Sequence, residues 1–171
     1  MGKISWNEAI EKFSKTLGFP ISEAQTKALA EYVRGYQLLL AGKPGTGKTS
    51  FFKTLHAMRF SGCAFYNIQT QAQQKRDWIL EDMEYYREQE LVIDDVGREA
   101  MKNEFGERFE VLDLIMAYRE EWCANVRTHY VTNLTPAELE ARYGERVMSR
   151  FHFCKVIGFA DGDKRRPRRF V

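Results

Sequence analysis

The chain has 171 residues, 44% of them apolar, which suits one domain able to bury roughly 70% of its unfolded surface. With 26 Lys and Arg against 24 Asp and Glu, the whole chain carries no signature of nucleic-acid binding, and no run approaches the roughly 20 apolar residues that cross a bilayer. Cys63, Cys123 and Cys154 are odd in number, widely spaced and without a C-x-x-C partner, and the N-terminus has no secretory h-region, so a soluble cytoplasmic protein with reduced thiols is expected.

Ser5 with Glu8 predicts a capping box opening a helix with Trp6, Ile10, Phe13 and Leu17 on one stripe and Gly18 as its stop. Ser22 with Gln25 repeats the device, with Leu29 and Val33 on one face and Gly35 as the stop, so residues 1–35 read as an N-terminal helical extension. The apolar strand "YQLLLAG" then runs into "KPGTGKTS", where Gly42, Gly47, Lys48 and Thr49 fill the fixed places of G-x-x-x-x-G-K-[ST]. A strand delivers the chain to a tight turn, glycines let the backbone close around phosphate oxygens, and the next helix presents its N–H groups and dipole to the anion. Gly42, Pro44, Gly45, Thr46, Gly47, Lys48, Thr49 and Ser50 are therefore the expected phosphate cradle, with Lys48 reaching the β- and γ-phosphates and Thr49 offering its hydroxyl to Mg²⁺. Phe51, Phe52, Leu55 and Met58 pack that helix on a sheet.

A strand over 63–69 and a helix over 71–89 follow, then "ELVIDDVG", a continuous apolar run ending in two carboxylates. A buried strand ending there puts Asp94 at the sheet edge from which the P-loop springs, so Asp94 can hold the metal, and Asp95 can orient or deprotonate an attacking water. Residues 107–124 are helical by period, with Phe109, Leu112, Ile115 and Met116 on one face, and 126–133 read as a strand. Thr135, Pro136 and Glu138 supply a cap, a first-turn proline and a box glutamate for the next helix, and 151–159 read as the last strand. Strands alternating with helices predict an α/β fold, a parallel sheet covered on both faces.

The combination "GKPGTGKT", "LVIDDVG" and "YVTNLTPAELEARYGERVMSRF" resembles the AAA+ ATPases of the DnaC type, the bacterial and phage replicative helicase loaders, and the related ATP-binding accessory proteins of insertion-sequence transposition. The resemblance spans residues 36–159. It implies a P-loop NTPase fold with an AAA+ core over 36–160, no C-terminal helical lid, and ATP with Mg²⁺ as ligands, while Lys164, Arg165, Arg166, Arg168 and Arg169 make residues 161–171 a basic tail. It also implies that Asn133 is the sensor 1 side chain between metal carboxylates and γ-phosphate, and that Arg150 is an arginine finger reaching a neighbouring subunit's γ-phosphate, with Arg146 one turn earlier. An amide that accepts from water and donates to phosphate suits the first role, and a planar permanent cation suits the second. The alternative for Asn133 is an Asx turn before Thr135-Pro136, and, read without the resemblance, the two arginines form surface pairs with Glu145 or Glu140.

A finger acting in trans implies a homo-oligomer. The loaders' partners, a replicative helicase and single-stranded DNA, are then expected, with residues 97–108 and the basic tail as candidate DNA contacts, although Glu99, Glu104 and Glu107 oppose uniform DNA binding by the former. Helicase loaders carry an N-terminal helicase-binding domain, whereas here about 35 residues precede the P-loop strand. Two alternatives stay open: a transposition accessory ATPase sharing every motif, and an adaptor that holds ATP with little turnover, which Asp95 in place of the commoner Glu favours. A small-molecule kinase would need an Arg-rich lid, and no N-K-x-D element reads guanine.

Overall fold

The computed structural model describes residues 5–59, 62–104 and 106–160. Helices α1 (Trp6–Leu17) and α2 (Glu23–Val33) lead into strand β1 (Gln37–Gly42) and helix α3 (Lys48–Ala57). Strand β2 (Ala64–Asn67), the short helix α4 (Ile68–Gln71), helix α5 (Arg76–Tyr85) and strand β3 (Leu91–Val96) follow. A hairpin of β4 (Lys102–Glu104) and β5 (Glu107–Phe109) precedes helix α6 (Val111–Trp122), strand β6 (Thr128–Thr132), helix α7 (Pro136–Arg150) and strand β7 (Cys154–Phe159).

Five of these strands form one parallel sheet in the order β2-β3-β6-β1-β7, and both faces are covered. Alternation along each strand divides the core. Leu38, Leu40, Val92 and Val131 pack against the side carrying Phe13, Leu29, Phe51 and Phe52, from α1, α2 and α3. Leu39, Leu91, Ile93 and Tyr130 pack against Ile79, Leu112, Ile115 and Val147, from α5, α6 and α7. The continuous apolar runs of β1 and β3 follow from this, because every strand residue must be apolar when both faces are buried. A one-residue slip would exchange the two sets, so the register is strongly fixed.

All three expected capping boxes form, at Ser5 with Glu8, Ser22 with Gln25, and Thr135 with Glu138. In each, the cap hydroxyl accepts the third residue's N–H and that residue's side chain accepts the cap's own N–H, which satisfies two donors and stabilises the helix by about 1 kcal/mol.

Several boundaries differ from the sequence reading. The strand expected over 63–69 stops at Asn67, whose carbonyl side-chain oxygen accepts the Thr70 N–H and turns the chain into α4. The helix expected over 71–89 begins only at Arg76 and ends at Tyr85. Residues 107–109 pair in the hairpin, so the helix there begins at Val111. Phe151–Phe153 form a 3₁₀ turn before β7 rather than its first residues. Val33, expected on a buried face, is exposed at the end of α2. No helix among the described residues is long and apolar enough to cross a membrane.

Candidate functional site

The strand order brings the chemistry together. β1 lies beside β6, and β6 beside β3, so the C-terminal ends of three adjacent strands carry the P-loop, Asn133, and Asp94 with Asp95. They converge on a cleft of about 350 Å³ lined by Pro44, Gly45, Gly47, Lys48, Thr49, Ser50, Asp94, Asp95 and Asn133. Phe19, Arg98 and Val131 complete its wall.

Gly45 and Gly47 both adopt left-handed backbone, with φ of 84° and 94°. Gly47 is the N-cap of α3 and has no side chain to satisfy the helix's first N–H groups, which leaves them for an anion. Gly42 has a different task. A Cβ there would sit 2.2 Å from the Phe159 carbonyl oxygen, so the first glycine lets the end of β1 approach β7. Neither Gly42 nor Thr46 lines the cleft; the buried Thr46 hydroxyl donates to the Lys43 carbonyl at 2.9 Å and shapes the loop from within.

The Lys48 ammonium donates to the carbonyls of Gly42 at 2.6 Å and Lys43 at 2.8 Å, and to Asn133 Oδ1 at 3.0 Å. Burial pushes its pKa below the usual lysine range, while the Asp94 and Asp95 carboxylates pull it back up and Arg98 pushes it further down. The Thr49 hydroxyl donates to Asp94 Oδ1 at 3.1 Å. Burial raises the Asp94 pKa, as does the Asp95 charge, against the Asp95 N–H and the Thr49 hydroxyl that hydrogen-bond the carboxylate. Among the described residues no cluster of three or more His, Cys, Asp or Glu forms a metal site. A hydroxyl beside one carboxylate is instead the oxygen set that Mg²⁺ uses together with substrate phosphates, so these residues fit that ion.

Asp95 is a non-glycine residue in the left-handed region, with φ of 60°, at a bulge where the β3–β6 register shifts between Ile93 and Val96. Such backbone costs roughly 1–3 kcal/mol and persists only where the surroundings enforce it. Here Asn67 Nδ2 donates to Asp95 Oδ2 at 2.8 Å, and the Arg98 N–H donates to the Asp95 carbonyl at 3.1 Å. The sequence does not point to Asn67 or Arg98 at this cleft; Arg98 falls only within the 97–108 stretch expected to contact DNA. Asn67 ends the strand next to β3, a placement that only strand order reveals.

Arg150 lies outside this cleft. It pairs with Glu120 and, at 3.4 Å, with Asp113 on α6, while Arg146 meets Asp113 at 3.3 Å. The pairs expected with Glu145 or Glu140 are replaced by contacts to the neighbouring helix. Helix α7 is broken at Gly144, where φ is 72° and ψ is −179°. Of the candidate DNA contacts, Glu99 is buried: its carboxylate accepts the Gly97 N–H at 3.0 Å and the Tyr143 hydroxyl. Glu104 accepts the Arg76 N–H at 3.1 Å. The basic tail lies outside the described residues.

No protein-family model matches the sequence, and no curated protein is detectably similar to it. Among solved structures the chain is similar to AMPPCP-bound DnaA from Aquifex aeolicus, at 16% identity and a TM-score of 0.56, covering 85% of this chain and 50% of that one. It is also similar to a DNA replication initiation factor, at 16% identity and a TM-score of 0.59, covering 85% of this chain and 49% of that one. The chain spans about half the length of both. The likeness is one of fold: this is a P-loop NTPase fold, a five-stranded parallel sheet flanked by helices.

Proposed function

We propose that this chain binds and hydrolyses ATP with Mg²⁺ and acts in DNA replication as a helicase loader, its sites completed between subunits of a homo-oligomer. The observation that carries the nucleotide reading is the convergence of Lys48, Thr49, Asp94, Asp95 and Asn133 on one cleft from three neighbouring strands. Lys48 exchanges its carbonyl partners for the β- and γ-phosphates, and the free N–H groups of α3 hold the same anion. Thr49 and Asp94 would hold Mg²⁺, which would supply positive charge to offset that of the phosphates. Asp95 orients the attacking water and takes its proton, and Asn133 bridges that water and the γ-phosphate. Phe19 and Val131 give the cleft an apolar wall for the base.

Arg150 acts in trans, where a guanidinium is worth about 10³ to 10⁵ in rate in other phosphoryl-transfer enzymes. The role in replication rests on the motifs shared with the DnaC type and on the likeness to DnaA and to the replication initiation factor. A second reading, an adaptor that holds ATP with little turnover, is favoured by Asp95, whose carboxylate Asn67 already holds.

ATP turnover per protomer, followed as protein concentration rises, tests the proposal for wild type, Arg150→Ala, Lys48→Ala and a mixture of the two variants. Specific activity should rise with concentration, vanish in each variant and return in part in the mixture. Activity flat with concentration and indifferent to Arg150→Ala sinks the shared site, and binding without turnover in wild type establishes the adaptor.

A further inference from the structure

Asp95, Val96, Gly97 and Arg98 form a tight turn in which the Arg98 N–H donates to the Asp95 carbonyl at 3.1 Å, and Gly97 supplies the left-handed third position with φ of 95°. The turn folds Arg98 back over the carboxylate that precedes it. Its Nε lies 3.8 Å from Asp95 Oδ1, its side chain is 48% exposed, and it borders the same cleft as Lys48. Its charge is near enough to Lys48 to disfavour the ammonium there. Two cations therefore face one cleft, one from the P-loop side and one from the β3 side.

We propose that Arg98 is a phosphate-contacting residue supplied by the chain to its own site, which exchanges Asp95 for the terminal phosphate of a bound nucleoside triphosphate. This rests on the nucleotide reading above and adds a residue that reads the third phosphate. The present tether is long and half exposed, and such pairs contribute little, so the guanidinium leaves it readily. A terminal phosphate is a stronger partner, because it accepts the planar fork in a bidentate manner with a charge-assisted bond. Lys48 and the N–H groups of α3 serve a diphosphate and a triphosphate alike, whereas Arg98 stands beside Asp95, where only a third phosphate extends. Its move also releases Asp95 Oδ1, so occupancy by a triphosphate and availability of the water-activating carboxylate become one event. The preference for triphosphate is then a property of the single chain and does not need Arg150 of a neighbour.

Equilibrium binding of a fluorescent non-hydrolysable ATP analogue and of fluorescent ADP, both with Mg²⁺, tests this for wild type, Arg98→Ala, Arg98→Lys and Lys48→Ala, all in an Arg150→Ala background. Arg98→Ala should weaken the triphosphate about tenfold with ADP unchanged, and Arg98→Lys should fall between. An unchanged triphosphate-to-diphosphate ratio in Arg98→Ala overturns the proposal while the nucleotide site stands. Equal weakening of both nucleotides also overturns it, since Arg98 would then only support the turn. If the parent binds neither nucleotide, or Lys48→Ala binds both as tightly, the nucleotide site itself fails and Arg98 with it.

Discussion

Lys48 and Asn133, 85 positions apart in the sequence, meet with the lysine ammonium donating to Asn133 Oδ1 at 3.0 Å. The bond closes the P-loop onto the end of β6 and places an amide beside the cation expected to meet the γ-phosphate. Asn133→Ala should therefore lower ATP turnover by roughly a hundredfold, the scale of removing one preorganised donor, with ADP affinity nearly unchanged. Turnover assays beside ADP titrations check this, and wild-type turnover in the variant would return Asn133 to a turn-forming role.

Asp94 illustrates a site residue whose chemistry opposes stability. Burial raises its pKa, and the Asp95 charge adds to the effect, so ionising Asp94 in the folded protein is harder than in the unfolded chain. The folded state thus holds that proton more tightly, and the cost of the ionised group appears as pH rises above the unfolded value of about 3.9. Asp94→Asn keeps an oxygen for the Thr49 hydroxyl and removes the charge, so at pH 7 it should raise stability by about 1 kcal/mol while abolishing Mg²⁺-dependent nucleotide binding. Urea unfolding and metal-dependent titration measure the two effects separately. Mg²⁺ binding by wild type should also fade on acidification sooner than for an ordinary aspartate.

The carboxylate of Glu99, 3% exposed, ties the turn after Asp95 to α7 through the Gly97 N–H and the Tyr143 hydroxyl, and Arg142 Nη2 donates to the Glu99 carbonyl at 2.5 Å. Tyr143→Phe leaves a buried carboxylate short of one donor and should destabilise the fold by about 1–3 kcal/mol. Once Glu99→Gln has removed the charge, the added loss on Tyr143→Phe should shrink, a non-additivity that a double-mutant cycle of urea unfolding reads directly. Additive losses would mean that the hydroxyl and carboxylate do not depend on each other.

The residues legible in the sequence are those whose role is set by local backbone. The run Leu38-Leu39-Leu40 reads as a strand buried on both faces, and the glycines, Lys48 and Thr49 read as a loop because their spacing alone fixes a turn and a helix start. The places of Asn67 and Arg98 at the cleft are not legible because neither belongs to a local pattern: one depends on β2 lying next to β3, the other on a turn made by a residue with left-handed backbone. Residues 107–109 read as helical because Phe109 keeps the period of the following helix, whereas pairing with 102–104 prevails. The break at Gly144 was hidden inside a helix whose cap and apolar period continue on both sides of it.

His129 predicts how the fold responds to acid. The ring is fully buried, its Nδ1 accepts the Leu38 N–H at 3.0 Å, and its Nε2 therefore carries the proton that faces Glu90 Oε1 at 2.7 Å. Burial pushes the His129 pKa down, against the opposing pull of Glu90, because a charged imidazolium would lose water and turn an N–H donor toward the donor at Leu38. The unfolded chain then binds this proton more readily than the folded one, so the stability contribution is complete above the unfolded value of about 6.5 and declines as pH falls through it. Glu90 adds a second, lower step. Burial alone would raise its pKa, but hydrogen bonds and charge from His129, with help from Arg127 and Tyr32, outweigh burial and lower it. Its contribution is present above the unfolded value of about 4.3 and is lost as pH falls below that. Unfolding free energies from urea titrations between pH 8 and pH 4 should fall in wild type as pH drops below 6.5, with this one group contributing at most about 1.4 kcal/mol per pH unit. His129→Gln should be less stable at pH 8 by about 1–3 kcal/mol, because a buried partner is lost, yet flat between pH 6.5 and 5. A slope over that range identical in the variant would assign the acid sensitivity to another group.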